Sequence, residues 1–203
     1  MEIPFAEAAF ACLDFETTGF SPKDDRVVEV AVAIVQRGQI GDTWTTLINP
    51  GDGKELGASH VHGIKKEWLV DAPSFLEIAG DLFSAFDGKV LVAHNVNFDL
   101  GFLRAELSRA GLLPHGLLFP NWDTMEAAEL APSETASRKL IDVAGAFDIT
   151  IENAHQALDD TLAVAKIISA VTPIIGDSVH LNTFVAPRKP DPSGQRTLRP
   201  TPN

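Results

Sequence analysis

Residues 9–19, AFACLDFETTG, decide the fold, because an apolar run ends there in two acids and a glycine turn. The run is apolar through Leu13, as expected for a strand that is buried on both faces of a sheet. Asp14 and Glu16 follow at positions i and i+2, so an extended strand points both side chains to one face, about 7 Å apart along the chain. Two oxygen ligands on one face can bind Mg²⁺ or Mn²⁺, although the pair by itself also fits two incidental acids at a strand end.

The segments that follow predict an α/β fold. Residues 27–35 and 43–48 are β-branched runs that complete an antiparallel meander of three strands with the first segment. The later pattern predicts a fourth strand at 89–93, a weak fifth strand near 121–124, and helices over 74–86, 95–110, 138–147 and 157–171. We place Pro73 in the first turn of the first helix, Asn95 at the N-cap of the second, and Ser137 at the N-cap of the third. Together these elements form a mixed five-stranded sheet flanked by helices.

A second acidic patch lies where the fourth strand meets its helix. In AHNVNFD at 93–99, Asp99 falls in the first turn of the predicted helix, where the helix dipole favours a carboxylate. An acid that only stabilises the helix would fit this position equally well. Functional sites in α/β sheets also form at such strand-to-helix junctions, so Asp99 is a candidate site residue.

The third patch, HQALDD at 155–160, combines a histidine with two acids. On a continuous helix His155 and Asp160 would point about 140° apart. They can serve one site only if His155 lies on the loop before the last helix and Asp160 lies in its first turns. The residues by themselves leave Asp159 as a competing ligand.

Bulk properties restrict the function classes. The 203 residues carry a net charge of −12, which argues against a protein that coats long stretches of nucleic acid. Cys12, the single cysteine, is expected to be a buried core thiol. No apolar run approaches the roughly 18 residues that span a bilayer, and the N-terminus lacks a basic signal region, so we expect a cytoplasmic protein without membrane contact. We expect one domain over 1–180 and a proline-rich, basic, disordered tail over 181–203.

In this order the three patches resemble the motifs of the DEDDh 3′–5′ exonucleases. That superfamily contains the DNA polymerase III epsilon proofreading subunits, oligoribonuclease and RNase T. DFETTG at 14–19, AHNVNFD at 93–99 and HQALDD at 155–160 match its three motifs, and HVHGI at 60–64 is similar to its His-Gly-Ile loop. The sister class has a tyrosine in the third motif, and this chain contains no tyrosine. The resemblance covers residues 9–170 and implies a ribonuclease H-like fold.

The resemblance also implies a set of functional residues. Four acids would hold two Mg²⁺ or Mn²⁺ ions, and the third motif selects Asp160 rather than Asp159 as the fourth. His155 would be the general base. The four metal ligands would be Asp14, Glu16, Asp99 and Asp160. The residues around the terminal nucleotide would be Phe15, Thr17, Val61, His62 and Phe98, although for Val61 and Phe98 simple core packing is an equal alternative.

The activity implied is 3′–5′ exonuclease action that releases nucleoside 5′-monophosphates from single-stranded or frayed DNA 3′ ends, in proofreading or repair. A DNA polymerase subunit is the candidate protein partner. An exoribonuclease that trims RNA 3′ ends is the alternative, because the catalytic set does not distinguish the 2′-hydroxyl group. A catalytically silent interaction module is a third reading, and the intact set of five residues argues against it.

Overall fold

The computed structural model describes residues 2–51, 53–153 and 155–187. The strands in these ranges are β1 (Glu2–Pro4), β2 (Ala9–Thr17), β3 (Val27–Gln36), β4 (Gln39–Leu47), β5 (Val90–Ala93), β6 (Asn121–Asp123) and β7 (His180–Asn182). The α-helices are α1 (Ser59–His62), α2 (Phe75–Phe86), α3 (Val96–Arg109), α4 (Leu140–Ala146) and α5 (Ala157–Ile175).

Five of the strands form one mixed sheet in the order β4-β3-β2-β5-β6. β2, β3 and β4 are the expected antiparallel meander, while β5 and β6 run parallel to β2. The predicted α/β fold with a mixed five-stranded sheet is therefore confirmed. Because β2, β5 and β6 are parallel, their carboxyl ends meet at one edge of the sheet, where clefts form in such folds.

Alternation along β2 assigns its side chains to two packed layers. Leu13 and Phe15 belong to the core cluster that includes α2 and α3, whereas Phe10 and Cys12 belong to the cluster that includes α4 and α5. Residues two apart share a face, so Asp14 lies on the α5 side of the sheet. Cys12 is fully buried, as predicted, and burial raises the pKa of its thiol.

Helix ends differ in detail from the sequence expectations. Ser74 is the N-cap of α2 in a capping box with Glu77, so Pro73 precedes the helix rather than lying in its first turn. α4 begins at Leu140, and the hydroxyl of Ser137 donates to the Asp142 carboxylate instead of capping the helix. α5 runs four residues further than expected, to Ile175.

The C-terminal part of the described chain packs onto the domain. β7 pairs antiparallel with β1, and Phe184 is fully buried with its ring stacked on Phe119 at a centroid distance of 5.3 Å. The domain therefore extends past the boundary expected at residue 180, through the described residues 181–187. The rest of the expected tail, residues 188–203, lies outside the described residues. No α-helix in the described ranges has the length and apolar character needed to cross a membrane.

Candidate active site

Three carboxylates meet at the carboxyl end of β2. Asp14 and Glu16 lie on the α5 face of that strand, and Asp160 lies in the first turn of α5. Each side chain offers an oxygen atom, and these atoms all lie within 4.8 Å of one another. The strand spacing and the start of α5 therefore converge on one group of ligands, although the segments are far apart in the sequence.

The fourth predicted ligand reaches the same strand from the opposite layer. Asp99 is 2% exposed in the first turn of α3, and its Oδ1 accepts a hydrogen bond from the backbone N–H of Phe15 at 3.1 Å. This bond fixes α3 against β2 beside Asp14. Asp99 is not a member of the group of three, but its charge is the largest electrostatic contribution that raises the pKa of Asp14 after burial.

The carboxylates repel one another in the metal-free protein. Burial, then the charges of Glu29 and Asp160, raises the pKa of Glu16 to about 8. Burial also raises the pKa of Asp14 well above its ordinary value, and the neighbouring acids add to the shift. Such a site gains free energy by binding protons or a cation. Its ligand atoms are oxygens only, a set that suits a divalent cation.

The loop before α5 separates the two acids of the third motif. His155 adopts a left-handed backbone conformation, with φ at 67°, and its N–H donates to Oδ2 of Asp160 at 3.1 Å. Asp159 instead accepts a hydrogen bond from the side chain of Asn153 at 2.9 Å. The structure places His155 on the loop and Asp160 in the first turn of the helix, as the helix phase predicted. His155 is exposed, and it lies at the rim of the site.

Asp123, which sequence reasoning missed, anchors the helix that carries Asp99. Its carboxylate accepts hydrogen bonds from the backbone N–H groups of Asn95 and Val96, both at 3.0 Å. Asn95 occupies the N-cap position as expected, but its side chain makes no capping bond. The signal available in the sequence was an acid at the end of the weak fifth strand.

Two aromatic side chains proposed near the terminal nucleotide occupy different surroundings. The ring of Phe15 packs in the core on the α2 and α3 side and its N–H is bound to Asp99, so a contact between Phe15 and the nucleotide stays a prediction. Phe98 is half-buried and packs against Phe102, with ring centroids 5.0 Å apart. Part of Phe98 therefore remains accessible at the start of α3.

The turn after β2 connects the acidic cluster to α1. Thr17 is buried, and its hydroxyl donates to the carbonyl of Gly19 at 2.7 Å. The carbonyl of Thr18 accepts from the N–H of Ala58, the residue before α1, at 3.2 Å. These bonds hold the predicted His-Gly-Ile loop beside the acids. Phe20, which sequence reasoning also missed, follows this turn and is 80% exposed.

The two predicted residues on α1 differ in exposure. Val61 is 39% exposed, so simple core packing does not account for it. His62 is buried; its Nδ1 accepts from the N–H of Ile64 at 3.0 Å, and its Nε2 makes no hydrogen bond of regular geometry within the described residues. Burial lowers the pKa of His62, which favours the neutral ring.

Comparisons with known proteins agree with this geometry. The chain is 32% identical over 163 residues to the DNA polymerase III subunit epsilon of Treponema pallidum, which covers 80% of this chain and 76% of that protein. It is 31% identical over 153 residues to the 3′-5′ exonuclease DinG of Bacillus subtilis, covering 74% of this chain and 16% of DinG. A PolC-type DNA polymerase III of Caldanaerobacter subterraneus is 30% identical over 161 residues, but the match spans only 11% of its length.

Solved structures share the fold at lower identity. Escherichia coli exonuclease I in complex with a dT13 oligonucleotide superposes with a TM-score of 0.71 at 22% identity, covering 85% of this chain and 43% of that one. Cell-death related nuclease 4 gives a TM-score of 0.69 at 15% identity, covering 83% and 65%. The family model RNase_T, described as exonuclease, matches residues 11–168. The resemblance found in the motifs is thus confirmed, and the chain belongs to the exonuclease family.

Proposed function

We propose that this protein is a metal-dependent 3′–5′ exonuclease that releases nucleoside 5′-monophosphates from the 3′ ends of DNA. One observation carries the proposal: Asp14, Glu16 and Asp160 come from two distant segments and place carboxylate oxygens within 4.8 Å of one another. Buried Asp99 lies beside them, and an exposed His155 lies at the rim. A folding core gains nothing from this accumulation of like charges, since burial without a partner costs free energy.

In the proposed mechanism, four acids would hold two Mg²⁺ or Mn²⁺ ions: Asp14, Glu16, Asp99 and Asp160. When bound, a pair of such ions stabilises the attacking and leaving oxygens of a phosphodiester. The exposed imidazole of His155 takes the proton of the attacking water, a role that imidazole fills near neutral pH. The hydrogen bond from the His155 N–H to Asp160 couples the position of the base to that of a metal ligand.

The surface around the acids fits the terminal nucleotides of a single strand. Thr17 and His62 supply polar groups next to the carboxyl end of β2. Apolar contacts come from Val61, Phe98 and the exposed ring of Phe20. Stacking of bases on aromatic side chains gives binding that tolerates sequence. These five residues, together with Phe15 beside Asp14, are the proposed substrate contacts.

The similar proteins favour proofreading or repair of DNA over RNA trimming. One of them is a subunit of DNA polymerase III, and another is an exonuclease I whose structure was solved with dT13. A DNA polymerase subunit is accordingly the proposed protein partner. The chain spans only 11% and 16% of the PolC and DinG relatives, so the activities of those longer proteins extend to it only as part of this proposal.

The test uses 5′-labelled DNA and RNA single strands of one sequence, each incubated with Mg²⁺ or with EDTA. We expect a ladder of shortened DNA products with Mg²⁺, no products with EDTA, and protection of DNA whose 3′ end carries a phosphate. Asp14→Ala should abolish the ladder, whereas Asp177→Ala, which removes an exposed acid after α5, should not. Cleavage by the Asp14→Ala protein, or cleavage in EDTA, would contradict the mechanism. A ladder with RNA only would mean that the substrate is RNA rather than DNA.

A further inference from the structure

A fifth carboxylate, which lies outside the three family motifs, faces the acidic cluster. Glu29 on β3 is the register partner of Glu16 on β2. Directly opposed residues of an antiparallel pair have Cβ atoms about 4.5–5.5 Å apart, and like charges in such a pair are destabilising. In the apolar run of β3, VVEVAVAIV, Glu29 is the one acid, so the protein maintains an unfavourable pair at a position that could hold an apolar residue.

The surroundings of Glu29 hold its side chain but do not neutralise it. The hydroxyl of Thr45 on β4 donates to Oε1 of Glu29 at 3.2 Å. Burial raises the pKa of Glu29, and the hydroxyl of Thr45 and the backbone of Ala157, the first residue of α5, offset part of that shift by stabilising the charged form. No lysine or arginine forms an ion pair with Glu29 within residues 2–51, 53–153 and 155–187.

Glu29 therefore lies next to both segments that build the site. It faces Glu16 across the β2–β3 pair, and the start of the helix that carries Asp160 is near enough to influence its charge. Its charge is also the largest electrostatic contribution, after burial, to the raised pKa of Glu16. A divalent cation between Asp14, Glu16 and Asp160 would offset this charge, which no lysine or arginine in the described part of the chain pairs with in the metal-free protein.

We propose that Glu29 is a positioning residue of the metal site, which acts through the facing Glu16 and increases the affinity for the divalent cation by its negative charge. The inference rests on the proposed metal-dependent function. The Glu29 charge lowers the stability of the metal-free protein. Removing this charge should therefore weaken metal binding but leave the stability of the metal-free protein unchanged or raise it. A residue with a merely structural role would change both in the same direction.

The test compares wild type with Glu29→Gln, which keeps an oxygen acceptor for Thr45 but removes the charge. Mg²⁺ binding to the full chain is measured by isothermal titration without substrate, with both proteins in the same buffer. Since charge count tunes the affinity of oxygen-ligand sites, we expect about tenfold weaker binding by Glu29→Gln. Its melting temperature in EDTA should equal or exceed that of wild type.

Two control variants sharpen the result. Glu134→Gln removes an exposed charge outside the site and should bind Mg²⁺ as wild type does. Glu29→Asp keeps the charge and should restore most of the affinity. The proposal is overturned if Glu29→Gln binds within about twofold of wild type, if its metal-free melting temperature falls, or if Glu29→Asp binds as weakly as Glu29→Gln. Absence of Mg²⁺ binding by wild type would instead contradict the proposed function.

Discussion

Replacing Glu106 with alanine should destabilise the protein strongly, because this side chain is the centre of a buried ionic network. Glu106 is 1% exposed, and its carboxylate accepts hydrogen bonds from Nε and Nη2 of Arg26 at 2.7 and 2.9 Å. It also accepts from Nη1 of Arg109 at 3.1 Å and from the N–H of Val27 at 3.3 Å. Glu106 lies seven residues after Asp99, close to two helical turns, so one face of α3 is fixed to β2 by Asp99 and to β3 by Glu106.

The magnitude follows from what the substitution leaves behind. Removing one partner of a buried ion pair costs about 3–5 kcal/mol, because the other charge stays buried without compensation. The Arg26 side chain is 24% exposed and can be partly hydrated once it is free, which places the cost near the lower end, at about 3 kcal/mol. In a protein of this size, that loss lowers the melting temperature by about 6–12 °C.

Urea denaturation followed by circular dichroism measures this loss directly. Glu134→Ala serves as the control, since Glu134 is exposed, and it should change the free energy of unfolding by less than about 0.5 kcal/mol. In the Glu106→Ala background, a further Arg26→Ala change should cost little, because its main partner is already gone. A loss below about 1 kcal/mol in Glu106→Ala would refute the view that this network fixes α3.

Three further predictions concern the acidic site. Asp160→Asn should abolish Mg²⁺-dependent cleavage, whereas Asp159→Asn, which affects the acid bound to Asn153, should cleave like wild type; equal losses in a single-turnover assay would reject the assignment of the ligand. His155→Ala should lower kcat by about 10²–10⁴-fold, and a loss under tenfold in steady-state kinetics would remove it as the base. Burial raises the pKa values of Glu16 and Asp99, so the native protein binds more protons than the unfolded chain, and the metal-free free energy of unfolding should fall as pH rises from about 4.5 to about 8. Urea denaturation in EDTA across that range tests this sign, and a rise in stability would contradict it.

The central part of the fold was predictable from apolar runs. Strands β2, β3 and β5 follow such runs closely, because each is buried by helices or neighbouring strands on both sides. The start of β4 was placed four residues too late, because its first four residues are exposed and Ile40 is the one apolar side chain among them. The pair of β1 and β7 joins opposite ends of the described chain through backbone bonds, and no local pattern in three residues indicates such a partner.

The catalytic candidates were predictable because motif order and elementary geometry agree. The i, i+2 spacing placed Asp14 and Glu16 on one face, and the helix phase placed His155 on the loop before α5. Two neighbours of the site were not predictable in this way. Glu29 becomes visible only through its register with Glu16, and Asp123 only through the parallel pairing of β6 with β5.

The pairing of β1 with β7 has a consequence for how this domain can be used in evolution. Glu2 lies opposite Asn182, so the first strand of the described chain and its last strand meet in one small ribbon. A domain with adjacent ends can be inserted into, or appended to, another polypeptide without rearrangement of its interior. This geometry accords with relatives in which the matching region forms 76%, 16% or 11% of the protein. Because the ribbon brings the first and last strands side by side, longer proteins can carry the nuclease fold as one of their domains.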